Sequence, residues 1–259
     1  MWISYSQLKL FEQCPRSYKF RYIEKSPPKV KPILIMANSV HAALKDFFLI
    51  SDATLRTKEA LEGLLRKAWR INPDRKKAFA NTQEEKTWGE KALAMLGNFY
   101  EKQDIKANPL AVEELYKAQF DSGIVLCGKV DRIDTDQDGS LRIIDYKTGK
   151  APKDGDKFLT GDYQLGMYGI LVRKKMFAKI EKIMYIFLED NTVISVKPTV
   201  EYLDNILEKI LGMAKTVTQE KVYPPNPGSF CRICDYFELC DSALKTVSPE
   251  AVEQEAVPF

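Results

Sequence analysis

Residues 128–150, GKVDRIDTDQDGSLRIIDYKTGK, constrain the chain more than any other stretch. Asp138-Gly139 is a strong turn signal between two β-branched segments, so the stretch predicts a β-hairpin. With the turn centred on residue 138, paired residue numbers sum to 276, and Asp131 falls opposite Asp145. Directly opposed side chains on one face have Cβ atoms about 4.5–5.5 Å apart, and like charges there are destabilising. Lys147, two residues on, shares that face. Two facing carboxylates beside a lysine read as the site of a divalent cation, with a solvent-facing hairpin of scattered charges as the alternative. Mg2+ takes one or two protein carboxylates and completes its octahedron with water and substrate phosphate oxygen. An ion so placed lowers the pKa of a bound water and stabilises charge on a phosphoryl oxygen, and the lysine adds fixed positive charge.

The same residues also fit a calcium-loop template, Asp134-x-Asp136-x-Asp138-Gly139 with Asp145 in place of the final Glu. That loop needs a helix on each side, whereas the flanks LCGKV and LRIIDY are strand-like. The chain's single histidine, His41, removes HExxH sites, Cys2His2 fingers and paired-histidine metal centres. No GxxxxGK[ST] and no GxGxxG occurs, so neither a P-loop nor a dinucleotide fold has its cradle.

Five cysteines stand at 14, 127, 231, 234 and 240. The last three form CRICDYFELC behind a proline-rich turn, a spacing that suits metal ligation better than disulfides in a cytosolic chain. Three clustered thiolates need a fourth ligand, and Cys14, at the other end of the chain, is the natural candidate. Cys127, in the apolar run IVLC, reads as a small core residue. Four thiolates could hold Zn2+ or an iron–sulfur cluster, or stand free. One CxxC pair where zinc ribbons use two favours [4Fe–4S]. Either group would clamp the two chain ends together.

Periodicity sets the remaining layout. Ser4 and Gln7 have capping-box spacing before a helical stripe that runs toward Cys14, and Pro15 restarts a second helix through Tyr22. Residues 37–105 are helical in pattern, 111–120, 123–134, 140–147 and 181–197 are strand-like, and 162–176 and 200–218 are helical again. This predicts an α/β fold and one domain over 1–246. Within it, 37–107 form a helical insertion, 108–199 the sheet core, and 200–246 a helix and cysteine segment joined to Cys14; 247–259 form a flexible tail. No apolar run spans a bilayer and no secretory signal is present, so the expected location is cytoplasmic. The net charge of +3 is too small to imply a polyanionic partner. Residues 1–31 nevertheless carry seven Lys/Arg against two Glu, and with Tyr18, Phe20 and Tyr22 they could line a strand channel or belong to the core.

Taken in order, ISYSQLKLFEQCPRSYKFRY, His41, GKVD, IIDYKTGK, Gln164-x-x-x-Tyr168 and the terminal cysteines resemble the PD-(D/E)XK nuclease superfamily. They look most like its RecB-like branch, with AddB-type and CRISPR-adaptation nucleases that carry a four-cysteine iron–sulfur cluster. The resemblance implies a restriction-endonuclease-like core, a mixed sheet flanked by helices, with a C-terminal iron–sulfur segment. It implies that His41, Asp131, Asp145 and the Tyr146 carbonyl bind Mg2+ or Mn2+, and that Lys147 acts on the attacking water. Gln164 and Tyr168 would lie near the DNA, and Cys14, Cys231, Cys234 and Cys240 would hold the [4Fe–4S] cluster, with Zn2+ as the alternative. The implied activity is a DNA exonuclease acting on single strands in repair, recombination or CRISPR adaptation. It would work alone, or as a subunit beside a helicase or CRISPR-adaptation partner; a non-catalytic DNA-binding scaffold is the remaining alternative. Two departures stand out: Val130 replaces the Pro of the superfamily's name, and Ala37-Asn38-Ser39 lacks the glycine expected before His41.

Overall fold

The computed structural model describes residues 2–120 and 123–242. A short strand β1 (Trp2–Ser4) leads into α1 (Tyr5–Gln13). Ser4 and Gln7 close the expected capping box there. Cys14 ends α1, and Pro15 sits at the first position of α2 (Pro15–Tyr18), which widens into a π-helical turn over Lys19–Ile23. The helical path thus runs through Tyr22, as the pattern suggested, with its second half in π form.

Four helices follow: α3 (Pro32–Phe48), α4 (Lys58–Ile71), α5 (Arg75–Ala78) and α6 (Thr82–Lys102). The strands β2 (Pro109–Gln119), β3 (Val125–Thr135) and β4 (Leu141–Lys147) come next. Helices α7 (Gly155–Gly161) and α8 (Gln164–Met176), strands β5 (Ile180–Phe187) and β6 (Thr192–Val196), and α9 (Val200–Gln219) complete the regular structure. Short 3-10 turns, Ser229–Ile233 and Phe237–Leu239, carry the terminal cysteines. The proposed tail, 247–259, lies outside the described residues.

The six strands form one mixed sheet. β2 covers one edge of β3 along its whole length. The other edge is shared, with β1 parallel beside Val125–Cys127 and β4 antiparallel beside Arg132–Thr135. β4 then pairs in parallel with β5, and β5 antiparallel with β6. Alternation splits the side chains between two layers. From β4 and β5, Ile143, Ile183, Tyr185 and Phe187 pack with Leu165, Met167 and Leu171 of α8 and with Ile210 of α9. Ile144, Tyr146, Met184 and Ile186 point the other way, onto Val40, Phe47, Leu96 and Phe99 of α3 and α6. The helices over 32–102 are thus a full layer of the fold, sealing one face of the sheet. The result is an α/β fold with a mixed central sheet flanked by helices, as the sequence implied.

Tyr18 is fully buried in the first of these cores, and Phe20 packs on Tyr236 at 5.5 Å. Lys29 pairs with Glu238 and Lys31 with Asp235. Phe20, Lys29 and Lys31 are therefore packing and pairing groups that bind the chain's two ends. For Tyr18, the strand-channel reading is corrected.

Candidate active site

The β3–β4 ladder pairs Arg132 with Ile144, Ile133 with Ile143, Asp134 with Arg142 and Thr135 with Leu141, the register that sums to 276. The ladder stops there, one pair short of Asp131 and Asp145. Where a backbone bond would continue, the Tyr146 N–H donates to Asp131 Oδ2 at 2.8 Å. Asp131 thus stands in for a strand, in the gap on the β3 edge between β1 and β4. Asp145 is 3% exposed and Asp131 7%, so both carboxylates are held out of water.

A third acid joins them. In β2, Val112 pairs with Arg132 and Glu114 with Val130, so Glu113 occupies the position opposite Asp131. Glu113, Asp131 and Asp145 therefore form a row across three neighbouring strands. Glu113 has left-handed backbone geometry, with φ of 53°. That is uncommon outside glycine and marks local strain of the kind found at functional sites. The sequence reading missed this residue. The register is open to the same arithmetic: a β2–β3 pairing centred on residue 122 makes pairs sum to 244 and sets Glu113 against Asp131.

His41 reaches the row from α3. Its Nδ1 lies 3.4 Å from Asp131 Oδ2 and 3.6 Å from Glu113 Oε1. Among the described residues, His41, Glu113 and Asp131 are the one group of three or more His, Cys, Asp or Glu whose ligand atoms all lie within 4.8 Å of each other. Burial opposes a proton on His41, but hydrogen bonds to Asp131 and Glu113 outweigh it, and its pKa is pushed up to about 10. Burial would raise the pKa of Glu113, but His41 and Lys129 beside it bring it below its ordinary value. Burial raises Asp145, although Lys147 pulls in the other direction.

Lys147 comes from the end of β4, with its Nζ 2.7 Å from Asp145 Oδ2 and over the Tyr185 ring at 4.7 Å. The same ammonium donates to Gln164 Oε1 at 2.6 Å, and Gln164 Nε2 donates to the Tyr168 hydroxyl at 2.9 Å. Gln164 and Tyr168, one turn apart on α8, thus reach the carboxylates through Lys147. Tyr168 is buried. Its ring covers Gly128, where an added Cβ would stand 2.7 Å from Tyr168 Cε1, which explains the glycine of GKVD. The Tyr146 ring turns to the opposite face, where its hydroxyl accepts from Arg132 at 3.1 Å. Arg132 in turn grips both oxygens of Asp134, at 2.7 and 2.5 Å. Asp134 is therefore occupied and its flanks are strands, so the calcium-loop alternative has no place here.

The second polar cluster lies at the chain ends. Cys14, Cys231, Cys234 and Cys240 line one pocket together with Ser17 and Phe20, while Cys127 sits in β3. Backbone N–H groups of Asn226 and Tyr236 donate to Cys14 and Cys234 Sγ, each at 3.4 Å. Thiolates on one zinc ion at about 2.3 Å stand about 3.8 Å apart, and no three of these sulfurs come that near one another.

Comparison with known proteins bears on the fold and the family. A crystal structure from Eubacterium rectale, described as a candidate exonuclease, superposes with a TM-score of 0.58 over 99% of this chain and 90% of its own, at 14% identity. That likeness concerns the fold. The Gene 69 protein of Mycobacterium phage D29 is 28% identical over 137 residues, half of this chain and 47% of that protein. The alignment thus spans about half the length of the curated relative. The profile of the PD-(D/E)XK nuclease superfamily matches residues 2–241, nearly the whole sequence, and the chain belongs to that superfamily.

Proposed function

We propose that this protein is a divalent-metal-dependent deoxyribonuclease of the RecB-like branch that hydrolyses single-stranded DNA from an end. The observation that carries the reading is the row of Glu113, Asp131 and Asp145 across three strands, with His41 on one side and Lys147 on the other. Three nearly buried acids gathered at one point are unfavourable without a cation, and the donor set of one imidazole and several carboxylate oxygens suits Mg2+ or Mn2+. His41, Asp131, Asp145 and the Tyr146 carbonyl would hold the ion, with Glu113 as a further ligand. When bound, the ion supplies Lewis-acid stabilisation of phosphoryl charge and makes water a better nucleophile.

The chain's own groups do the rest. Lys147, anchored by Gln164 and Asp145, presents a fixed positive charge where a phosphate oxygen or attacking water would stand. Tyr168 holds Gln164, and Gly128 leaves room for the Tyr168 ring, so the lysine's position depends on β3 and α8 packing together. At the other pole, a single CxxC pair where zinc ribbons use two favours an iron–sulfur cluster over a single zinc ion. Cys14 and the 231–240 turns would hold it as a structural clamp.

The deciding experiment is digestion of end-labelled single-stranded DNA with Mg2+ by anaerobically purified protein, comparing wild type with Asp145→Ala. We expect loss of full-length substrate by wild type and a fall on the order of 10³-fold in the variant. Equal cleavage by both proteins would remove the carboxylate row from the mechanism. No cleavage by either, with Mg2+ or Mn2+, would leave the partner-dependent or scaffold alternatives.

A further inference from the structure

Between Arg66 and Lys77, six of twelve residues are Lys or Arg and one is acidic, a local +5 in a chain whose total is only +3. The fold concentrates them further. Arg66, Lys67 and Arg70 project from the last turns of α4, and Arg75, Lys76 and Lys77 come from α5; all but the half-buried Arg75 are exposed. Several of them rim a groove of about 840 Å³ between α4 and α6, closed on the far side by Lys86 and floored by Leu65, Leu93 and the indole of Trp69.

The floor is rigid and the rim is available. Trp69 stacks on Phe79, with ring centroids 5.8 Å apart and planes 14° from parallel, and its Nε1 donates to Glu85 at 2.9 Å. Glu85 also pairs with Arg75, so that acid is fully engaged below the rim. Arg66 has only Glu62, one turn earlier on the same helix, an exposed pair worth a few tenths of a kcal/mol. Among the described residues, Lys67, Arg70 and Lys76 have no ion-pair partner. The N-terminal arm differs, because Lys19, Lys29 and Lys31 are each paired with an acid. This run therefore places uncompensated positive charge on the helical layer, above a flat aromatic and aliphatic floor. That combination fits a phosphate backbone with a base edge lying inward.

We propose that the α4–α6 groove binds a nucleic-acid strand as a second contact outside the carboxylate centre, with Arg66, Arg70 and Lys76 taking phosphates. The proposal rests on the nuclease reading above. It adds a location: α4 packs on α3, the helix that carries His41, so one layer would carry both the contact and a group of the centre.

The test is fluorescence anisotropy with labelled oligothymidylates in the Asp145→Ala background. It compares a short strand that fills only the carboxylate centre with one several times longer, across a salt series. Arg66→Ala/Arg70→Ala/Lys76→Ala should weaken the long strand about tenfold or more and flatten its log–log salt slope by about 2. Binding of the short strand should be unchanged, and the Lys replacements Arg66→Lys/Arg70→Lys should keep the long-strand affinity. An unchanged long-strand affinity and slope would overturn the proposal. So would equal losses for both lengths, or capture of poly-glutamate in place of the oligonucleotide. Cleavage of the short strand by the triple variant with Asp145 restored tests the nuclease reading separately.

Discussion

The carboxylate centre and the cysteine pocket are built in opposite ways from the same chain. At the carboxylates, sheet register does the positioning. Asp131 and Asp145 sit where β3 and β4 stop pairing, Glu113 sits in the next strand, and the Tyr146 N–H locks Asp131 at 2.8 Å. Each group is held by backbone that would be hydrogen-bonded whether or not an ion were bound. The cysteines instead come from a helix end and two 3-10 turns, elements with few ladder bonds of their own. Their sulfurs share one pocket without the close convergence seen at the acids. A site preorganised by a sheet should lose chemistry when a ligand is removed. A site assembled from the two ends of a chain should lose stability.

Paired substitutions break or sharpen that contrast. The largest expected separation is between Asp145→Ala and Cys231→Ser. The first should cut cleavage on the order of 10³-fold while leaving the thermal midpoint unchanged or higher, because a buried carboxyl beside other acids has been removed. The second should cost about 2–5 kcal/mol of stability, by analogy with a long-loop cross-link, while activity per folded molecule persists at low temperature. Thermal unfolding beside single-turnover cleavage reads both. Equal damage to both quantities in both variants would show that the two regions are one cooperative unit.

A smaller effect tests how tightly the carboxylate centre depends on packing. Gly128→Ala places a Cβ 2.7 Å from the buried Tyr168 ring, and the displacement should cost about 1–3 kcal/mol. Because Tyr168 holds Gln164 and Gln164 holds Lys147, cleavage should fall more than stability alone predicts. A fall in cleavage no greater than the loss of folded protein, seen in the same two assays, would break that link.

The smallest effect is electrostatic. His41 is pushed up to about 10 from an ordinary value near 6.5, as its bonds to Asp131 and Glu113 outweigh burial. A raised folded-state pKa means that the folded protein holds this proton more tightly. In the metal-free protein the resulting stability is complete below about pH 6.5 and is lost as the pH rises through 10. Metal binding needs the neutral ring, so Mg2+ affinity should increase over the same range. Thermal midpoints of metal-free wild type and His41→Gln should converge toward pH 10, and parallel pH profiles would place the proton elsewhere.

Much of the centre was legible before the fold. Asp138-Gly139 and its β-branched flanks were enough to pair Asp131 with Asp145, because a tight turn leaves a hairpin little freedom of register. Gln164 and Tyr168 came from the resemblance, and their i, i+4 spacing put them on one face of a helix. Glu113 was missed although a β2–β3 pairing centred on residue 122 carries the same arithmetic. The charge run 66–77 was also in plain view. Its significance was hidden, because a sequence shows how many cations there are and not which of them already have partners.

The sequence by itself determined the local matters: where helices cap, where the hairpin turns, which residues alternate, and that four cysteines stand at the two ends. These follow from interactions among near neighbours in the chain. Tertiary structure decided the rest. It brought His41 from a distant helix onto the acids, paired Lys29 and Lys31 with the C-terminal turns, buried Tyr18, and left Arg70 unpaired at an open groove. The physical reason is that burial and charge pairing depend on which surfaces the folded layers bring together, and those surfaces belong to residues far apart in the chain.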